Sequence, residues 1–365
     1  MLMPLFIPST LFPSTMASWS LVCLSLLTLL LHSTAAGRVP AIIVFGDSSV
    51  DSGNNNFINT IARSNYEPYG RDFDGGRPTG RFCNGRLASD YISQAFNLPS
   101  VLPPYLDPTY TIKDFAVGVN FASAGTGYDN ATSNILGVIP MWKELEYFRE
   151  YISKLKGYQG EVKAMETIRE ALYLISVGTN DFLENYYVLP GRPSSYTVEE
   201  YQNFLVDIAE GFVNELYRLG ARKIDLTGIL PMGCVPLERA MNGQLPFSMG
   251  ICNEEHNRVA RDFNTKLQLL VEKLSRERSD FSLVYGDLYD IFDGVIKSPV
   301  AYGFDEVINS CCGDTGIVEI GFFCTKYVTC SNADKYVFWD AIHPTQRMNQ
   351  VLANYIVNTT LARFR

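Results

Sequence analysis

The sequence predicts an α/β fold: a parallel sheet covered by helices on both faces. Strand-like runs recur at residues 42–45, 118–122, 172–177, 223–229 and 281–285, and the first, Ile42 to Phe45, is apolar and β-branched without the alternation of a half-exposed strand. Segments with helical spacing separate them, the pattern of repeated strand–helix crossovers. Each run also ends in a polar, Gly-containing turn. In open parallel sheets, ligands and reacting groups collect just past the carboxyl ends of the strands.

The first run, Ile42-Ile43-Val44-Phe45, breaks off into Gly46-Asp47-Ser48 and then a tract of small polar residues, Asp51-Ser52-Gly53-Asn54-Asn55. Residues 54–85 read as a long ordered loop and 87–96 as a short helix. The second run leads into Ser123-Ala124-Gly125-Thr126-Gly127, and a helix is predicted over 141–155. The third run stops at Gly178-Thr179-Asn180-Asp181. Apolar residues at 201, 204, 205, 208, 212, 213 and 216 mark one face of a helix over 199–219, with Gly220 as its stop. Val259, Phe263, Leu267, Leu270, Val271 and Leu274 mark another. Residues 309–330 look irregular and disulfide-rich. Pro344 is expected to open a last helix reaching about residue 361, since proline suits the first helical position.

Residues 1–36 carry no charged side chain; a Leu-rich core over 21–31 precedes Ser33-Thr34-Ala35-Ala36. The core is too short for a membrane span and reads as a secretory signal peptide, leaving a domain over 37–365. It lacks the usual basic residue before the core, and Met16 is an alternative start. A secreted, extracellular protein without stable membrane insertion is expected. About 329 of the 365 residues then remain, enough for one large α/β domain. A net charge of −9 without a Lys/Arg cluster argues against nucleic acid or anionic membrane partners.

Of the 8 cysteines, Cys23 leaves with the signal, so an odd number remains. Cys234 and Cys252 are a plausible bridge. The adjacent Cys311 and Cys312 each point to Cys324 or Cys330, leaving Cys83 as a packed thiol. The spacing does not suggest a zinc site. Asn130-Ala131-Thr132 and Asn358-Thr359-Thr360 are glycosylation acceptor sequences at Asn130 and Asn358.

Together the strand ends supply the parts of an acyl-transfer site. Ser48 is the candidate nucleophile, and it needs a base. His256 lies among Glu254, Glu255, Asn257 and Arg258, which looks like a solvated helix face. His343 lies in Asp340-Ala341-Ile342-His343-Pro344, where Asp340 can reach back to the imidazole within one local turn and fix its tautomer. The oxyanion needs donors, and Ser48 (its own amide), Gly125 and Asn180 are placed to provide them. Asp47 is read as a turn former. No metal or organic cofactor is required.

Phe45-Gly46-Asp47-Ser48, residues 118–125, Gly178-Thr179-Asn180-Asp181 and Asp340-Ala341-Ile342-His343-Pro344 resemble the four blocks of the plant GDSL esterase/lipases, a branch of the SGNH hydrolases. Residues 80–86 and 230–234 are also similar to plant members. The resemblance implies a three-layer α/β/α sandwich, flavodoxin-like, with about five parallel strands. It implies Ser48 as nucleophile, His343 as base, Asp340 as its orienting carboxylate, and Gly125 and Asn180 as oxyanion donors. The activity implied is hydrolysis of carboxylic esters, with a lipid, polyester or acylated carbohydrate as substrate. The alternatives are an acyltransferase using the same site with an alcohol acceptor, and a secreted binding protein without turnover.

Overall fold

In the computed structural model, residues 39–242, 250–313, 324 and 328–365 are described. The expected signal peptide lies outside them, as does much of the segment between Gly313 and Val328.

Five strands form one parallel sheet: β1 (Ile42–Gly46), β2 (Gly118–Asn120), β3 (Leu172–Ser176), β4 (Lys223–Thr227) and β5 (Ser282–Gly286), in the order β2-β1-β3-β4-β5. Order reverses at β1, whose two neighbours arrive from later in the chain, and the crevice beyond such a switch point is where α/β sheets bind ligands. The register aligns Gly46 of β1 with Ser176 of β3 and Ser176 with Thr227 of β4, so these three strands end on one line.

Alternate residues of β1 and β3 feed different cores, which is why those two runs are almost wholly apolar. Ile43, Phe45, Tyr173, Ile175, Ile224 and Leu226 point into the larger core. That core is closed by α3 (Met141–Gln159), α4 (Glu161–Glu170), α5 (Val198–Arg218) and α6 (Glu254–Glu277), which follow α1 (Ala88–Ala95) and the short α2 (Asn130–Leu136) in the chain. Ile42, Val44, Leu172 and Leu174 face the opposite side, against α1 and the C-terminal α8 (Gln346–Asn358), which comes after α7 (Tyr289–Lys297). The arrangement is a three-layer α/β/α sandwich. Among the described residues, no helix is long and apolar enough to cross a membrane.

Several expected boundaries move for identifiable reasons. The second strand ends at Asn120 rather than 122, because the Asn120 side chain takes the Ala122 amide at 2.9 Å and donates to the Val50 carbonyl at 2.6 Å. The fourth ends at Thr227, two residues early. The final helix does not start at Pro344: Thr345 is its N-cap, the hydroxyl accepting from the Met348 amide, and Pro344 instead bridges to Phe338. A two-stranded parallel sheet, β6 (Glu306–Ser310) with β7 (Tyr336–Phe338), was not anticipated. The cysteines pair as Cys234–Cys252, Cys311–Cys330 and Cys312–Cys324, with Cys83 free and buried.

Candidate active site

Ser48 stands in the tight turn that follows β1. Gly46 makes that turn feasible: its φ is +139°, and a Cβ there would lie 1.9 Å from the Ser176 carbonyl oxygen. The Asp47 amide donates to the same carbonyl at 3.0 Å, and the Gly46 amide donates to the buried Glu144 carboxyl at 3.0 Å. Asp47 closes the turn, its side chain accepting from the Ser49 amide at 2.9 Å; burial pushes its carboxyl up to about 6.

The small polar tract after Ser48 ties this turn to the one after β2. Asp51 accepts from the amides of Gly53, Asn54 and Ala124. Asn54 donates to the Asn120 and Ala122 carbonyls, and Asn55 donates to the Ala124 carbonyl while accepting the Ser123 hydroxyl at 2.5 Å. Gly125 follows directly, with φ +85°, which only glycine adopts without strain. Farther along, Asp181 accepts from the amides of Tyr128 and Asp129 and the hydroxyl of Thr132, anchoring the loop to the end of β3. Asn180, just before it, spends one amide hydrogen on the Thr126 carbonyl at 2.9 Å. Its second amide hydrogen is available to a ligand.

The C-terminal segment brings the remaining groups. His343 Nε2 lies 2.8 Å from Ser48 Oγ, and His343 Nδ1 lies 2.8 Å from both carboxylate oxygens of Asp340. Asp340 is fully buried and accepts three further bonds: the amides of Ile342 and His343, and the Tyr69 hydroxyl at 2.8 Å. The Phe82 ring lies 5.0 Å from the imidazole and fixes its plane. Ser48, Gly125, Asn180 and His343 line one pocket, enclosed by Ala124, Phe82, Leu136 and Ile342. The larger apolar cavity lies behind the turn, lined by Asp47, Ser49 and Pro344 rather than by Ser48 and His343.

His256 is elsewhere and is not on a solvated face. Its Nδ1 lies 2.6 Å from Glu238, on the short helix Pro236–Asn242, and its ring stacks on Tyr187 at 3.7 Å. Asn130 and Asn358 are both exposed. Of the residues that hold the pocket together, Asp51, Asn54 and Asn55 left a signal, a dense run of Asp and Asn beside the nucleophile turn. Tyr69 left none, being one tyrosine in an aromatic loop. Of residues 57–69, Ile61, Ala62 and Arg63 reach the pocket.

The chain matches the family model of the GDSL-like lipase/acylhydrolases over residues 42–356. It is 56% identical over 338 residues to GDSL esterase/lipase At2g42990 of Arabidopsis thaliana, covering 92% of this chain and 95% of that protein. It is 57% identical over 333 residues to GDSL esterase/lipase At2g04570 of the same plant, covering 91% and 94%. Among solved structures it has a distant likeness to Axe2, an acetylxylan esterase from Geobacillus stearothermophilus, with a TM-score of 0.38 at 12% identity, covering 90% of this chain and 96% of that one. With 315 consecutive positions matched to one family and relatives above half identity along nearly their whole length, the chain belongs to the GDSL esterase/lipase family and is a carboxylic ester hydrolase.

Proposed function

We propose that the protein is a secreted serine ester hydrolase that works through an acyl-enzyme on Ser48. The observation that carries this reading is the unbroken chain of 2.8 Å contacts from Ser48 Oγ through the His343 ring to Asp340. In the first step Ser48 attacks the ester carbonyl while His343 Nε2 takes the hydroxyl proton, and Asp340 holds Nδ1–H and stabilises the imidazolium. The carbonyl oxygen, now an anion, rests on the amides of Ser48 and Gly125 and on the free side-chain N–H of Asn180. His343 then gives its proton to the departing alcohol. Water, deprotonated by His343, adds to the acyl-enzyme and releases the acid, restoring Ser48.

The N-terminal residues 1–36 act in this reading as a signal peptide ahead of one hydrolase domain over 37–365, and Asn130 and Asn358 are glycosylated. Three disulfides support an oxidising compartment. The ester is a lipid, a polyester or an acylated carbohydrate.

Ser48→Ala is expected to lower kcat on a short-chain aryl ester by about 10⁴-fold or more, and to abolish labelling by a fluorophosphonate probe, with the circular dichroism spectrum unchanged. A labelled, active Ser48→Ala protein sinks the assignment. Product analysis with an added polyol separates a hydrolase, which releases free acid, from an acyltransferase, which forms a new ester.

A further inference from the structure

Among the groups facing the catalytic pocket, Glu184 has no part in the chemistry above. It lies four residues after Asn180, on the π-helical turn Asp181–Tyr186 that leaves β3. Residues so spaced share one face of a helical turn, and both line the pocket with Ser48, Gly125 and His343. Its Oε2 is shut off from solvent and has no hydrogen-bond partner among the described residues. Arg63, the arginine of the pocket wall, donates to the carbonyls of Asn55 and Ile58. The wall is apolar at Ile61, Phe82, Leu136 and Ile342 and polar at Ser48, Asn180 and His343. Leaving a buried carboxyl oxygen unpartnered is costly, and native structures seldom do so without a reason. A catalytic pocket gives such a group one natural partner, a donor carried in by the substrate.

We propose that Glu184 is a specificity-determining residue that binds a free hydroxyl on the substrate, selecting esters with an unesterified hydroxyl near the scissile bond over plain alkyl esters. The assignment rests on the ester-hydrolase reading of Ser48 and His343 and narrows its substrate class. Burial, with Asp47 close by, raises the Glu184 carboxyl to about 7, against the opposing pull of His343. Near neutral pH both of its forms are therefore present, one accepting from a hydroxyl and the other also able to donate to it. The hydroxyl can sit on either side of the ester: on the alcohol, as in a partial glyceride or a sugar ester, or on the acyl group, as in a hydroxy acid.

The test uses the full chain and two matched pairs: glycerol monoacetate against propyl acetate, and ethyl 3-hydroxybutyrate against ethyl butyrate. In the wild type, the hydroxylated member of one pair is expected to have the higher kcat/KM by about ten-fold or more, and that pair identifies the side that carries the hydroxyl. Glu184→Leu is expected to bring the ratio in that pair close to one, and Glu184→Gln, which keeps a donor and an acceptor, to restore much of it. A wild type without preference in either pair overturns the proposal. So does a Glu184→Leu protein whose rates on both members of a pair fall together with the ratio kept. If Glu184→Leu does not fold, Glu184→Ala is read in its place, and a ratio kept at the wild-type value overturns the assignment. Failure of the catalytic reading would look different, with ester turnover surviving in Ser48→Ala whatever Glu184 does.

Discussion

At the scale of single residues, His343, the proposed base, depends on Asp340 and on the groups that hold Asp340 in place. Asp340 has two oxygens and four donors: two backbone amides, the imidazole and the Tyr69 hydroxyl. Removing the Tyr69 hydroxyl leaves Oδ2 held by the imidazole alone, while the two amides still hold Oδ1. Tyr69→Phe is expected to lower kcat about ten-fold with KM little changed, the loss of one hydrogen bond to a charged group. Steady-state kinetics checks it, and an unchanged kcat removes Tyr69 from the orienting set. The sequence allowed no such inference, because Tyr69 and Asp340 are 271 positions apart and a tyrosine in an aromatic loop has no local mark. Asp340 and His343 were legible because their contact is local, three residues apart at a turn.

At the scale of elements, β1 and β3 meet more tightly than their ladder requires. The Gly46 α-carbon lies against the Ser176 carbonyl that also receives the Asp47 amide, so the nucleophile turn is built on the end of β3. Gly46→Ala forces a Cβ into that carbonyl at a φ that side chains avoid. It is expected to cost about 3 kcal/mol or more of stability, read from the urea midpoint, and to reduce activity beyond the unfolded fraction. A wild-type midpoint refutes it. β1 and β3 were legible because each is buried on both faces and therefore apolar with little alternation. β6 and β7 were not: Glu306-Val307-Ile308-Asn309-Ser310 mixes polar and apolar residues, and its partner lies far along the chain. The start of α8 was misplaced because Pro344 and Thr345 both carry start signals, and the hydroxyl cap decided between them.

At the scale of the whole molecule, carboxyl groups are buried on both sides of the sheet. Glu144, Asp225 and Glu184 each keep an oxygen without a partner among the described residues. Burial raises Asp225 and Glu184 to about 7, and Glu144 well above its ordinary value. Such groups hold their protons in the folded chain at pH values where the unfolded chain has lost them. The native state then binds more protons between about pH 4 and 7, so stability falls as pH rises through that window, by up to about 1.4 kcal/mol per unit for each group. The melting temperature is accordingly expected to be higher at pH 5 than at pH 7.5 by calorimetry; a rise over that interval contradicts this account. The carboxylates that hydrogen bonds from arginine and tyrosine side chains hold low, such as Glu215 and Asp280, act in the opposite direction but at more acidic pH.

The described residues hold one unpaired thiol, Cys83, beside three disulfides in the same chain, and its surroundings decide whether that is hazardous. The thiol is enclosed beside Asn349 and the Arg86 carbonyl, and burial pushes it up to about 12. Thiol–disulfide exchange proceeds through the thiolate, whose fraction in the native state at pH 7 is then on the order of 10⁻⁵. In the unfolded chain the same thiol ionises a thousand-fold more readily and can attack any nascent bridge. The hazard of mispairing is thus confined to the interval before α1 and α8 dock over Cys83. Once they have docked, the native connectivity is locked by packing as much as by the bridges themselves.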